Sequence, residues 1–321
     1  MIIRKIKPEE ERKYDEIAMS CGTIFNTTGW TKLFGEKIQH YGIYNDGIEL
    51  IGGFTTYCRE KFGLHFYTNP PFTPTIGPFF TLSAQNPVSL MNLNKEILSL
   101  ICQTFATLPH SVFSIRFNRD IVDLQPFIWR KYKVVPVYTY VLDLTSSIDT
   151  IWKRMSGVRR KNIRKALKDG IDIRKAEDLG IVKSLIKKTF ARQNTKVNIG
   201  YLERILYEFC NKDNSFGYIS YSDRTAIACA YCIHDSRVAY YLFGGFDVNY
   251  KHHGAGTLAL WQCIQNSISI GLNSFDFEGS MIPSIEKYFR GFGGDLKPYY
   301  CVNKAPFPLE VILKLFKREY F

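Results

Sequence analysis

The first half of the chain alternates short apolar runs with polar turns, and this pattern predicts strands and hairpins with a few helices. The elements expected there are a strand at Ile2–Ile6, a helix from Pro8, a helix in FNTTGWTKLFGEK, a helix at 89–107 and the strand SVFSIRF. Asn45-Asp46-Gly47 joins two apolar runs and is a strong hairpin signal. The loop TNPPFTPTIGPFF is too rich in proline to pair as a central strand, so we expect it to shape a groove.

The second half predicts a buried strand, KVVPVYTYVLDLT, and a long helix at Ile148–Asp169 that Gly170 stops. After it we expect helices at 178–191 and 198–211, the strands SFGYISY, AIACAYCIH and RVAYYLFGGFD, a helix that ends at Ile270, the strand NSFDFEG, a short helix at Ile285–Arg290 and a strand near PYYCVN. This order predicts an α+β fold, with mixed sheets and helices on both faces. Because both halves place helices before a hairpin meander, we expect an internal duplication with domains at residues 1–132 and 133–321.

Composition and charge narrow the class of protein. The apolar fraction of 45% and the charged fraction of 22% fit a globular chain with a buried core. The eight cysteines form no framework of short spacings and MIIRKIKPEEE does not resemble a signal peptide, so we expect free thiols and a cytoplasmic location. No apolar run is long enough to span a bilayer. The net charge of +12 favours phosphates, nucleic acid or anionic lipid as partners.

A glycine-containing stretch, KHHGAG, lies between a predicted strand and a predicted helix. The start of a helix carries unpaired N–H groups and a partial positive charge, and glycines let an anion come close to them. The candidate anion-binding residues are Lys251, His253, Gly254, Ala255 and Gly256. The alternative is a tight strand-to-helix turn with no ligand.

Two carboxylates follow that helix in NSFDFEG. On a strand, Asp276 and Glu278 point to one face, while Phe275 and Phe277 point to the other. Such carboxylates can accept a proton from an amine nucleophile or orient it. The alternative is that one is solvated at the strand end and the other caps the next helix.

A third stretch, EKYFRGFGGDLKPYY, places an aromatic residue on a helix shortly before a glycine cluster. Tyr288 lies five residues before Gly293, whereas Phe289 has the four-residue spacing. Tyr288 is therefore either a functional side chain that can donate a proton or an aromatic residue of the core.

These three stretches, in this order, resemble the C-terminal half of a GNAT acyltransferase domain. The fuller resemblance is to the Fem-type branch, a two-domain family that contains peptide-bridge aminoacyltransferases and related uncharacterised acetyltransferases. It also rests on WKRMSGVRRKNIRKALKDGIDIRKA, AYYLFGGFD, FRGFGGDLKPYY and the early WTKLF and IGGF. The resemblance covers almost the whole chain, is strongest from residue 138 to 300, and implies two GNAT-like domains. Lys251 stands where the family usually has arginine or glutamine.

The resemblance implies an N-acyltransferase. The phosphates of an acyl-CoA donor, acetyl-CoA above all, would lie on the loop from Lys251 to Gly256, and Tyr288 would face the leaving thiolate. A backbone N–H near Phe243 or Gly244 would polarise the acyl carbonyl. The acceptor would be the amine of a small molecule, a sugar or a peptide, as in cell-envelope biosynthesis.

Two alternatives remain open for the function. One is transfer of an aminoacyl group from tRNA to a cell-wall peptide precursor. The long coiled-coil arm of several tRNA-dependent relatives has no counterpart between Asp178 and Asn211, which favours a coenzyme A donor. The other is a ligand-binding member of the fold without catalysis.

The predicted long helix is strongly basic, since residues 151–175 contain ten Lys or Arg against two Asp. Arg159, Arg160 and Arg164 are the candidates to hold an anionic acceptor, because a guanidinium grips phosphate or carboxylate in a bidentate manner. We expect this helix and the loop at 68–80 to border one cleft. The alternative is a solvated face that only aids solubility. No accompanying motif suggests that the helix reads DNA.

Neither the cysteines nor the histidines predict a metal site or a tightly bound cofactor. Cys229 and Cys232 are three residues apart on a predicted strand, so they face opposite sides, and no second pair follows. His252 and His253 are adjacent and lack partners at ligand spacing.

Overall fold

The computed structural model describes residues 1–46, 48–193, 198–250, 252–279 and 281–316. The chain forms two compact units. The first unit contains Met1–Val137 and the C-terminal residues from Pro298, and the second contains Tyr138–Lys297. Each unit has a mixed sheet with helices, so the predicted α+β class is confirmed.

The first unit begins with six strands and four helices. The strands are β1 (Ile2–Lys5), β2 (Ile38–Asn45), β3 (Glu49–Lys61), β4 (Leu64–Thr68), β5 (Phe79–Phe80) and β6 (Val112–Arg116). The helices are α1 (Glu11–Cys21), α2 (Thr28–Thr31), α3 (Pro87–Thr107) and α4 (Gln125–Trp129). The helix predicted in FNTTGWTKLFGEK forms as α2, which Thr27 caps, followed by a 3-10 helix at Lys32–Lys37 in which Gly35 takes a φ of 67°. Gly47 of the predicted hairpin turn lies outside the described residues.

The sheet of this unit runs β1-β2-β3-β4-β6, and neighbours are antiparallel except for β4 and β6, which are parallel. Its core is aromatic: Phe54 stacks on Tyr41 at 4.9 Å between ring centroids and meets Phe105 edge-on at 5.1 Å. All three rings are buried. Offset and edge-to-face pairs of this kind add to the stability that burial provides.

The proline-rich loop after β4 folds back onto the end of β6. The side chain of Asn69 accepts a hydrogen bond from the Arg116 N–H at 2.8 Å, and the Ile76 N–H donates to the Arg116 carbonyl at 3.2 Å. Gly77 lies so close to Phe117 that a β-carbon there would meet its α-carbon at 2.5 Å. The loop therefore fills the space beyond the parallel strands β4 and β6.

His40 is expected to make the first unit sensitive to acid. Burial lowers the pKa of His40 from 6.5 to about 4, and its Nε2 lies 2.6 Å from Thr31 Oγ1. Between these two pKa values the unfolded chain binds a proton at this histidine and the folded chain does not. The free energy of unfolding should therefore fall as the pH drops from about 6.5 to about 4. Urea unfolding at several pH values will measure this. A His40→Gln variant should lose that part of the pH dependence, and an unchanged profile would contradict the assignment.

The second unit contains the strands β7 to β12 and the helices α5 to α10. The strands are β7 (Lys133–Asp143, which starts in the first unit), β8 (Asp172–Lys175), β9 (Ser215–Ser222), β10 (Thr225–His234), β11 (Val238–Phe246) and β12 (Ser274–Asp276). The helices are α5 (Ile148–Arg154), α6 (Gly157–Lys168), α7 (Leu179–Arg192), α8 (Ile199–Arg204, continued by a π-turn at Ile205–Phe209), α9 (Ala255–Ser269) and α10 (Pro283–Arg290).

The predicted long basic helix is two helices. Met155 takes an extended conformation with ψ of 145°, and its side chain is buried. Ser156 then caps α6 by accepting a hydrogen bond from the Arg159 N–H at 3.3 Å. Serine is a favourable residue at the N-cap of a helix, so the break has a local cause. Gly170 ends α6 as predicted, with a φ of 75°.

The sheet of the second unit runs β7-β12-β11-β10-β9-β8, and only β11 and β12 are parallel. They pair over three positions, from Val238 beside Ser274 to Tyr240 beside Asp276. Because β11 continues to Phe246 while β12 ends at Asp276, the two strands separate. Helix α9 packs on one face of the sheet, and Ala228 and Ala230 of β10 lie in the same buried hydrophobic cluster as its side chains. Helix α7 packs on the other face.

The last described elements are β13 (Asp295–Lys304) and α11 (Phe307–Phe316). Residues Cys301–Lys304 pair antiparallel with β6, which is why the C-terminal residues belong to the first unit. The predicted division placed all of 133–321 in one domain and therefore differs at this end. Both units share a common set of elements: three antiparallel strands, a helix, a strand parallel to the third and a further strand antiparallel to that one. No described helix is long and apolar enough to cross a bilayer.

Candidate active site

A cavity of about 680 Å³ opens in the second unit where β11 and β12 separate. Its walls come from the end of α7, from β11, from the start of α9, from the segment after β12 and from α10. The lining is largely aromatic and aliphatic, and a small number of polar groups converge on it. Cavities of this size and composition are typical of small-molecule sites.

A β-bulge in β11 lies on the cavity wall. Tyr231 of β10 is opposite Phe243 and Cys232 is opposite Tyr241, so Leu242 has no opposite residue. Leu242 lines the cavity, together with Gly244. A bulge interrupts the ladder of backbone hydrogen bonds and can aim a backbone group at a ligand. Phe243, a predicted ligand-binding residue, is buried and does not line the cavity.

The two glycines before α9 have different surroundings. Gly254 is buried, and a β-carbon there would overlap the carbonyl oxygen of Asn162 in α6. Gly256 lines the cavity, and a β-carbon there would meet nothing nearer than Ala228 Cβ at 4.0 Å. Gly254 thus allows two helices to pack, whereas Gly256 leaves the start of α9 accessible from the cavity.

The other residues of the glycine loop also divide between packing and the cavity. Ala255 is buried, and its carbonyl accepts a hydrogen bond from Ser220 at 2.8 Å. His253 is exposed and lines the cavity, as does His252. His252 Nε2 lies 3.1 Å from Asp169 Oδ2, and its Nδ1 accepts a hydrogen bond from the Gly254 N–H at 3.2 Å. Lys251, predicted for this loop, lies outside the described residues.

Asp276 and Glu278 differ in their surroundings. The strand ends at Asp276, and Glu278 has a left-handed backbone with a φ of 59°, so the predicted strand through both residues is wrong. Asp276 is buried and accepts hydrogen bonds from Thr139 Oγ1 at 2.5 Å and from the Glu278 N–H at 2.9 Å. Glu278 lines the cavity, whereas Asp276 does not. Asp276 therefore holds the turn that presents Glu278.

Tyr288 lines the cavity from α10 and is partly buried. Its hydroxyl donates to Thr257 Oγ1 at 3.4 Å, on the first turn of α9. Burial raises the pKa of Tyr288, while Thr257 and the charge of Arg159 act to lower it. The phenol is thus a proton donor that stays protonated at neutral pH.

The three arginines predicted to bind one anion are spread over α6. The guanidinium carbon of Arg159 lies 4.3 Å from the centre of the Tyr288 ring. The guanidinium of Arg164 lies over Trp152 at 5.5 Å, and Arg164 is exposed. Arg160 is partly buried and, among the described residues, has no carboxylate partner. An anion site shared by all three stays a prediction.

The cavity contains residues that sequence reasoning missed. Arg192 lines it from the end of α7, and Cys229 lines it from β10. Thr257, which meets Tyr288, comes from the third position of α9. No motif marks Arg192, and Cys229 is notable in the sequence only for its spacing to Cys232, which is that of a metal-binding pair. Thr257 directly follows Gly256, so the glycine loop could have suggested it.

The thiols and histidines do not converge on a common point. All eight cysteines are free thiols, and burial raises the pKa of Cys229 to about 12. Within the described part of the chain, no group of three or more His, Cys, Asp or Glu side chains could hold a metal ion.

The first unit has a different arrangement at the position that corresponds to the cavity. Its loop after β4 fills the space beyond the parallel strands. Asn86 caps α3 by accepting a hydrogen bond from the Ser89 N–H at 2.9 Å, and Pro87 has no N–H to offer a ligand. Within the described residues, the two units therefore differ at this position: in the second unit Gly256 at the start of α9 lines the cavity, whereas in the first unit the corresponding helix starts with Pro87.

Comparison with known proteins bears on the fold and on the family of the second unit. Residues 155–290 match the family described as acetyltransferase (GNAT) domain. The structure of FemX is similar over 98% of this chain and 100% of FemX, with a TM-score of 0.71 and 14% identity. The comparison with curated protein sequences gave no match.

Two further solved structures are similar at lower TM-scores. A C-terminal domain of a putative lysylphosphatidylglycerol synthetase from Agrobacterium fabrum has a TM-score of 0.57 and 11% identity, covering 95% of each chain. L-PGS from Bacillus licheniformis has a TM-score of 0.56 and 11% identity, covering 99% of this chain and 98% of that one. The chain is therefore similar in fold to FemX over nearly its whole length, and residues 155–290, within its second unit, match the acetyltransferase (GNAT) domain family.

Proposed function

We propose that the second unit is an N-acyltransferase that moves an acyl group from a coenzyme A thioester, acetyl-CoA above all, to an amine. The observation that carries this proposal is the cavity between the separated strands β11 and β12, where Glu278, Tyr288 and the start of α9 meet. It supplies in one place a carboxylate, a phenol and a helix N-terminus. In acyl transfer from a thioester to an amine, these groups can serve as base, as proton donor and as anion site.

The donor is proposed to enter with its pyrophosphate at the start of α9. Gly256 leaves room beside the first N–H groups of the helix, which carry partial positive charge. Arg192, His252 and His253 line the same cavity and add cationic or hydrogen-bonding groups. The apolar part of the lining, including Phe277 and Phe289, suits the pantetheine arm and the acyl group.

In this proposal, separate groups of the cavity carry out the proton transfers and stabilise the charge that forms on the acyl group. Glu278 takes one proton from the neutral acceptor amine as its nitrogen attacks the carbonyl carbon and the new carbon–nitrogen bond forms. Backbone N–H groups at the Leu242 bulge stabilise the negative charge that forms on the carbonyl oxygen. When the carbon–sulfur bond breaks, Tyr288 donates its phenol proton to the departing thiolate. The products are an N-acyl compound and free coenzyme A.

Titration with acetyl-CoA and longer acyl-CoA thioesters tests the donor. We expect binding at micromolar concentration, followed by release of free coenzyme A when amines are added. An Arg192→Ala variant should bind the donor several-fold more weakly, because it removes a cation from the cavity wall. Absence of binding at millimolar acyl-CoA would contradict a coenzyme A donor. Binding without turnover over a panel of sugar, peptide and small amines would support a non-catalytic role.

A second candidate donor is aminoacyl-tRNA, and one observation favours it. Helix α6 presents a row of cations that have no carboxylate partner among the described residues: Arg160, Lys161, Arg164 and Lys168. Such a surface suits a polyanion. Lysylphosphatidylglycerol synthetase, whose fold is similar, has a name that refers to an aminoacyl group.

Binding of charged tRNA at several salt concentrations tests this candidate. If α6 contacts the phosphate backbone, affinity should fall steeply with salt, and a variant with Lys161→Met and Lys168→Met should show a shallower slope. A matched variant with Lys212→Met, outside α6, should leave the slope unchanged. Weak binding with no salt dependence would exclude tRNA as the donor.

A further inference from the structure

Arg159 packs against the ring of Tyr288, and its own Nε is buried without a hydrogen bond among the described residues. Its guanidinium carbon lies 4.3 Å from the centre of the Tyr288 ring, which is cation–π geometry. Gly291 makes room for the side chain, since a β-carbon there would lie 2.9 Å from Nε and 3.0 Å from Cγ. Arg159 is thus packed between α6, the end of α10 and the Tyr288 ring.

The surroundings of the Tyr288 phenol contain few charges that could replace Arg159. Tyr241 of β11 interacts with it electrostatically, and Thr257 of α9 accepts its hydroxyl proton in a hydrogen bond. The remaining titratable groups that line the cavity are Glu278, His252, His253, Arg192 and Cys229. On its own helix the charged side chains are Glu286, Lys287 and Arg290, of which Glu286 and Arg290 pair with each other at 3.2 Å. Arg159 is the cation that lies directly over the ring.

A cation over a phenol ring favours the phenolate, the form that Tyr288 takes once it has given up its proton. Burial has the opposite effect and raises the pKa of Tyr288, so the charge of Arg159 partly offsets the cost of ionisation. Arginine suits this place because its guanidinium is planar, stacks on aromatic faces and stays charged at every working pH.

We propose that Arg159 is a positioning residue for Tyr288: it orients the phenol toward the leaving group and stabilises the phenolate that forms when the thiolate is protonated. This proposal rests on the proposed acyl transfer. In that step the proton leaves Tyr288 Oη for the thioester sulfur as the carbon–sulfur bond breaks, and Tyr288 recovers a proton from solvent after the products leave. Arg159 touches neither the donor nor the acceptor in this scheme, in contrast to the anion-binding role expected from sequence.

A double-mutant cycle between Arg159 and Tyr288 tests the proposal. Tyr288→Phe should lower kcat by about 10²-fold, as expected for loss of a proton donor. Arg159→Met should lower kcat roughly tenfold while leaving the KM of the donor within about twofold, because a desolvated cation–π contact is worth about that factor. In the Tyr288→Phe background, Arg159→Met should have almost no further effect on kcat, and Arg159→Lys should restore part of the activity.

A second variant displaces Arg159 without changing its charge. Gly291→Ala adds one methyl group where Arg159 Nε and Cγ now lie, and Gly291 has an ordinary helical φ of −61°. It should lower kcat only when Tyr288 is present. The matched control is Arg174→Met, which removes a cation 4.8 Å from the Tyr221 ring, away from the cavity, and should leave kcat unchanged.

The outcomes separate this proposal from the proposed function. Equal losses from Arg159→Met with and without Tyr288, or a rise only in the KM of the acceptor, would overturn the positioning role while acyl transfer stands. If the wild-type protein shows no transfer from any thioester, NMR titration of tyrosines labelled with carbon-13 at Cζ still tests whether Arg159 stabilises the Tyr288 phenolate. The Tyr288 signal, assigned with Tyr288→Phe, should titrate at higher pH in Arg159→Met, and an unchanged titration would refute the proposal.

Discussion

Replacing Glu278 with glutamine should lower kcat for acyl transfer by about 10²-fold or more and leave donor binding almost unchanged. Glu278 is the carboxylate that lines the cavity, and its left-handed backbone is held by Asp276. Glutamine keeps the size of the side chain but cannot accept a proton from the amine. Steady-state kinetics with a fixed amine, together with titration of acetyl-CoA, measure both quantities.

Asp276→Asn is the matched control, because it changes the neighbouring carboxylate that does not line the cavity. Its side-chain oxygen can still accept the hydrogen bonds from Thr139 and from the Glu278 N–H. We therefore expect a smaller loss, roughly tenfold or less in kcat. If Asp276→Asn were as damaging as Glu278→Gln, the two carboxylates would act as a unit and the assignment of one base would be wrong.

Replacing Gly254 with alanine should destabilise the second unit by about 1–3 kcal/mol. The added β-carbon would overlap the carbonyl oxygen of Asn162, which is backbone and cannot rotate away, so α6 must shift from α9. Calorimetry should show a lower unfolding temperature. Donor binding, measured well below that temperature, should weaken only as far as the start of α9 moves.

Replacing Gly256 with valine should weaken donor binding and leave the stability of the second unit almost unchanged. A side chain at this position has open space around it and should not disturb the packing of the unit. It would enter the cavity beside the first N–H groups of α9, so donor affinity should fall at least tenfold while the unfolding temperature stays within a few degrees. Loss of stability in both glycine variants, with donor binding intact in Gly256→Val, would place the donor elsewhere.

Most elements of the fold were predictable because their signals are local. The apolar runs of β9 to β11 with polar turns between them and the apolar run of α9 are properties of neighbouring residues, and Gly170 marked the end of α6. The errors have local and distant causes. The break at Met155 depends on a serine cap inside a continuous helical pattern. The pairing of β13 with β6 joins segments far apart in sequence, so no local pattern predicts it.

The candidate site was predictable as a set of residue types but not as a geometry. Glycines before an apolar helix, a carboxylate after a short strand and a tyrosine before a glycine cluster are visible in the sequence. Which carboxylate reaches the cavity depends on the left-handed backbone of Glu278. The direction of Arg159 depends on the position of α10 relative to α6.

Local sequence patterns were sufficient for the α+β class, the order of most helices and strands and the chemical groups available for the proposed acyl transfer, because periodicity, caps and turns act over a few residues. The different roles of Gly254 in packing and of Gly256 in the cavity follow from the three-dimensional structure, since the two differ in what surrounds them rather than in their neighbours along the chain. The tertiary structure also decided that Arg159 lies on Tyr288. Contacts between residues more than a hundred positions apart depend on how the sheet and helices pack, and that is settled by the whole core at once.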